Sequence, residues 1–64
     1  MEVYIEKTGK TLKIEGKIRL SALLKKLKIN SEDVICVGNG VVVLSMQDLG
    51  RVKQLKILSV VSGG

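Results

Sequence analysis

Two glycines, Gly63 and Gly64, close the sequence directly behind the strand-like run Leu55-Lys56-Ile57-Leu58-Ser59-Val60 and the short stretch Val61-Ser62. These residue types suit acyl transfer. A terminal carboxylate becomes a good acyl donor once adenylated, and two residues without Cβ let a backbone thread a channel that any side chain would block. Gly64 would supply the reacting carboxylate, Gly63 the slender approach, and Val61-Ser62 backbone groups that a partner could pair with as an added strand. Four extended residues span about 13 Å at roughly 3.3 Å each, enough to enter another protein's active site while the rest docks outside. The competing reading is a frayed terminus, where small residues are common.

Other chemistry is sparse. The chain has no His and one Cys, Cys36, which excludes an internal disulfide and a Cys-rich zinc site and removes the commonest general base. No catalytic residue, metal ligand or bound cofactor is expected. Cys36 lies mid-strand among β-branched residues and reads as core. Glu32 and Asp33 read as a solvated turn rather than an acid–base pair. Tyr4, the single aromatic, alternates with Val3 and Ile5 and is a candidate contact residue.

Sixty-four residues with 45% hydrophobic content are too apolar for disorder. They make one small domain, which buries only about 60% of its unfolded surface, so a deep catalytic cleft is not expected. With no Phe, Trp or Pro, the core must come from Val, Ile and Leu. No stretch approaches the roughly 18 apolar residues of a membrane span, and no leader pattern is present. The expectation is a cytoplasmic monomer without membrane contact.

The elements that must position the tail follow from periodicity. Met1 to Lys7 and Thr11 to Glu15 alternate, with Val3, Ile5, Leu12 and Ile14 apolar, which predicts a hairpin turning at Thr8-Gly9-Lys10. Leu20, Leu23, Leu24 and Leu27 stand at i, i+3, i+4 and i+7 and predict one amphipathic helix, its lysines near the C-terminal end and no clear cap at its start. Asn30 to Asp33 is turn chemistry. Val34 to Val37, Gly38-Asn39-Gly40 and Val41 to Leu44 read as a strand, an Asn-Gly turn and a strand. Ser45 to Gly50 reads as irregular, and Leu55 to Val60 as a last strand. One helix with one apolar stripe must lie across one face of a sheet. The fold class expected is α+β, a β-grasp with a mixed sheet of four to five strands and one helix, comprising residues 1–60 with 61–64 as a flexible tail.

The first hairpin, the Leu20-Ser21-Ala22-Leu23-Leu24 helix, the Gly38-Asn39-Gly40 turn and the apolar strand running into Gly63-Gly64 resemble the ubiquitin-like sulfur carriers and small archaeal modifier proteins. The thiamin sulfur carrier and the small subunit of molybdopterin synthase are similar in the same way. The resemblance spans the whole chain, with the Gly-Gly as its specific motif. It implies a passive substrate rather than an enzyme. A ubiquitin-activating-type partner would adenylate Gly64 using ATP and Mg²⁺. The acyl adenylate would then become a thiocarboxylate for a sulfur-accepting enzyme, as in tRNA thiolation, molybdopterin or thiamin pathways, or be attacked by a target protein's lysine to give an isopeptide bond.

In the last and third strands both faces are apolar, yet one helix can cover only one. With Leu55, Ile57, Val34 and Cys36 toward the helix, Ile35, Val37, Leu58 and Val60 would form an uncovered patch beside Val61 and Ser62, and such patches mark partner sites. The opposite register, or a dimer, would bury it instead.

A charge of +5, with Lys25, Lys26 and Lys28 clustered and Lys7, Lys10, Lys13 and Lys17 upstream, admits a different class: a basic nucleic-acid-binding or interaction module with an inert tail. One Tyr does not make a stacking platform, so nucleic acid is not the partner expected. The same charge would attract an acidic groove on an activating enzyme.

Overall fold

The computed structural model describes residues 1–60. Five strands, β1 (Glu2–Ile5), β2 (Lys10–Lys13), β3 (Val34–Gly38), β4 (Val41–Val43) and β5 (Gln54–Ser59), form one sheet in the order β2-β1-β5-β3-β4. The first and last strands pair in parallel at its middle, Val3 beside Leu55 and Ile5 beside Ile57, and every other pair is antiparallel. The helix α1 (Leu20–Lys26) covers one face, and a single 3-10 turn, Ser31–Asp33, leads into β3. This is the β-grasp arrangement. The core between helix and sheet holds Val3, Leu20, Leu23, Leu24, Cys36, Leu49, Leu55 and Ile57.

The first two strands are shorter than their alternation suggests. β1 stops at Ile5, and Glu6–Gly9 form the connection, closed by the Gly9 N–H donating to the Ile5 carbonyl at 2.8 Å. The second hairpin turns on Asn39 and Gly40, both with positive φ, 50° and 83°, the twist a two-residue connection requires. Asn39 does more than turn. Its side-chain oxygen accepts from the N–H groups of Lys53 and Gln54 at 3.1 and 3.3 Å, and its amide nitrogen donates to the Arg51 carbonyl at 3.3 Å. The hairpin tip therefore fixes where β5 begins. Asn39→Gly keeps the turn geometry and deletes all three bonds, so it should cost about 1–2 kcal/mol, measured as a lower urea midpoint at constant m-value.

The helix has no side-chain N-cap; Arg19 occupies that position without a capping bond. The Leu20 and Ser21 N–H groups instead donate to the backbone carbonyls of Gln47 and Ser45, at 3.1 and 2.8 Å. Residues Ser45–Leu49, expected to be irregular, are thus the helix cap, and they seat Leu49 in the core at 2% exposure. At the other end the Lys28 N–H donates to the Lys25 carbonyl and the Ile29 N–H to Leu24, a Schellman ending. Lys28, at φ 58°, fills the left-handed position where Gly is usual.

Candidate functional site: the open sheet face and the end of β5

Cα partners across a sheet share a face, so register alone places the side chains opposite the helix. One row runs Thr11, Tyr4, Lys56, Val37 and Val42, and Leu58 stands beside Ile35 in the next. The helix-facing set includes Cys36, Leu55 and Ile57, all buried. Of the residues proposed from sequence, Ile35 and Val60 are exposed at 45% and 39%, while Val37 and Leu58 are half-buried. The patch is therefore shallower than full exposure of all four would make it. Tyr4 also lies on this face, 39% exposed.

Sequence reading missed Val42, which is 59% exposed and pairs with Val37. The signal was available: a two-residue Asn39-Gly40 turn forces Val42 opposite Val37 and so onto the same face. Ile35, Val37, Val42 and Leu58 make an apolar surface with Lys56 and Tyr4 along its border. The sheet edge beyond it is short, because Gln47 occupies the next backbone pair. Its side chain accepts from the Leu44 N–H at 2.6 Å and its own N–H donates to the Leu44 carbonyl at 3.0 Å. The patch thus offers side chains more than an open strand edge.

β5 is the last element among the described residues. After Ser59, the Val60 N–H still donates to the Asp33 carbonyl at 2.9 Å, so the backbone is held as far as Val60. Val61, Ser62, Gly63 and Gly64 lie outside the described residues.

Cys36 is 4% exposed, and burial raises its thiol pKa because the thiolate is the form that loses solvation. A group whose pKa is raised on folding stabilises the fold below its unfolded value and loses that contribution as pH rises through the folded one. Stability should therefore fall in the alkaline range, above about pH 8.5. A thiol reagent should label Cys36 slowly in the native protein and rapidly in urea. Labelling at equal rates in both would place the thiol at the surface.

Among the described residues no three His, Cys, Asp or Glu side chains gather as a metal-binding set, and no helix is long and apolar enough to cross a membrane.

No protein-family model matches the chain, and no curated protein matches it in sequence. A solved structure resembles it in fold: the solution NMR structure of a thiamine biosynthesis protein from Geobacter metallireducens superimposes with a TM-score of 0.59 at 19% identity, covering 100% of this chain and 88% of that one. At that identity the likeness is one of fold.

Proposed function

We propose that this chain is a ubiquitin-like carrier whose Gly64 carboxylate is activated by a partner enzyme. The observation that carries the reading is positional. The central strand of a β-grasp sheet delivers the backbone to Val60 at the margin of an uncovered apolar face, and the sequence beyond it is Val61-Ser62-Gly63-Gly64. A partner gripping Ile35, Val37, Val42 and Leu58 would have the last four residues within about 13 Å of its own catalytic groups. Nothing in this chain then needs to be a catalyst.

In the proposed reaction a Gly64 carboxylate oxygen attacks the α-phosphorus of ATP, with Mg²⁺ held by the partner, and pyrophosphate leaves. A sulfur nucleophile at the sulfide level displaces AMP to give the thiocarboxylate. A lysine amine would displace it to give an isopeptide bond, losing one proton. The likeness to a thiamine biosynthesis protein makes the sulfur branch the first to test.

Mass spectrometry of the protein recovered from its own cells separates the branches. The expected result is an intact mass in which one oxygen is exchanged for one sulfur, localised to Gly64. Lysines of other proteins carrying the Ile57-to-Gly64 remnant left after tryptic cleavage at Lys56 would assign the modifier branch. An unmodified carboxylate with no remnant on any lysine would overturn both.

A further inference from the structure

A groove of about 710 Å³ lies at the end of the helix–sheet sandwich that carries Ser59 and Val60. Ile5, Leu27, Ile29 and Val34, half-buried and packed against the core, line it with the buried Ile57. The exposed Lys7, Lys28 and Asp33 also line it, as do Ser59 and Val60, which residues 61–64 follow in sequence.

Two independent observations bear on its use. The first is charge. The apolar lining carries two lysines against one aspartate in a chain of net charge +5, so it complements apolar side chains flanked by carboxylates. The second is conformational: Lys28 holds the left-handed position of the Schellman ending, at φ 58°, which disfavours every residue with a Cβ. Glycine there would serve the helix better, and the lysine's charge stands at the groove. A locally unfavourable residue at a concave surface points to a role beyond folding.

We infer that this groove docks an extended acidic–apolar segment of the activating partner, with Lys7 and Lys28 receiving its carboxylates. The inference rests on the carrier reading above. The partner that accepts the last four residues must sit over Ser59 and Val60, and the groove begins there. The open sheet face and the groove are then two footholds that both adjoin the end of β5.

The test is an NMR titration of the isotope-labelled full chain with a synthetic peptide alternating aspartate and leucine, alongside its lysine–leucine counterpart. The acidic peptide should shift amides of Ile5–Thr8, Leu27–Asp33 and Ser59–Val60, and the basic one should not. Lys7→Glu with Lys28→Glu should weaken binding by about tenfold or more, as expected for close charge contacts. Lys28→Gly should raise the melting temperature and weaken binding together, a pairing that a purely structural lysine would not produce. Shifts confined to Ile35, Val37 and Val42, equal response to both peptides, or unaltered binding by Lys28→Gly would overturn the proposal. In ATP–pyrophosphate exchange with the adenylating enzyme, the double lysine variant should raise KM and leave kcat unchanged. Peptide binding without any adenylation of Gly64 would sink the carrier reading and leave the groove standing; adenylation without peptide binding would do the reverse.

Discussion

A chain ending at Gly63 is expected to lose ATP–pyrophosphate exchange with the proposed activating enzyme by at least about 100-fold, while its melting temperature stays where it was. Both halves follow from geometry. Shortening by one residue withdraws the carboxylate by about 3.3 Å, and a misplacement of about 1 Å at a reacting atom can cost about 100-fold. The folded body is untouched, because the last backbone bond described is Val60 to Asp33. Gly64→Ala is the complementary variant: it keeps the carboxylate and places a methyl group in the approach, so it should impair exchange with a smaller loss. Exchange at the normal rate in the shortened chain would remove Gly64 from the mechanism and leave an interaction module with an inert tail.

Leu49→Ala and Leu58→Ala should separate folding from docking. Leu49 is 2% exposed and sits in the core, so truncation should cost about 2–5 kcal/mol. A domain of this size has roughly 3–10 kcal/mol in total, and the loss should appear as a large fall in urea midpoint. The damage extends to the helix start, since Leu49 anchors the segment whose carbonyls cap Leu20 and Ser21. Leu58 is half-buried on the open face, and its truncation should cost about 1 kcal/mol or less. Its effect should appear instead as a raised KM for this protein in the exchange assay. A stability loss for Leu58→Ala as large as that for Leu49→Ala would mean that the open face is core, and the docking surface would have to be sought elsewhere.

The contrast between these two leucines marks where the sequence was legible. Alternation in Val3, Ile5, Leu55 and Ile57, the helical spacing of Leu20, Leu23 and Leu24, and Asn39-Gly40 each obey a local rule, and each element formed with small boundary changes. The open face followed from counting: two-sided strands and a single helix. Leu49 obeyed no local rule. It lies in a stretch without periodicity, and its burial follows from a helix start that lacks a side-chain cap and borrows the carbonyls of Ser45 and Gln47, far along the chain. That debt was visible as a missing cap before Leu20, but its creditor was not. The groove likewise has no sequence signature, because Ile5, Val34 and Ile57 come from three different strands and Leu27 from the C-cap of the helix, and they meet only through topology.

The parallel pairing of β1 with β5 also bears on when the open face can form. The strand latest in chain order, β5, is the middle strand of the sheet, flanked by β1 and β3. A chain interrupted before Gln54 would not lose an edge; it would fall into two separate hairpins, each marginal alone in water. Such a fragment would present unfolded backbone to proteases, and Ile35 and Val37 would have no Leu58 or Lys56 beside them. The open face, with Ile35 and Val37 on β3 beside Leu58 and Lys56 on β5, thus assembles only on chains that have been translated through β5.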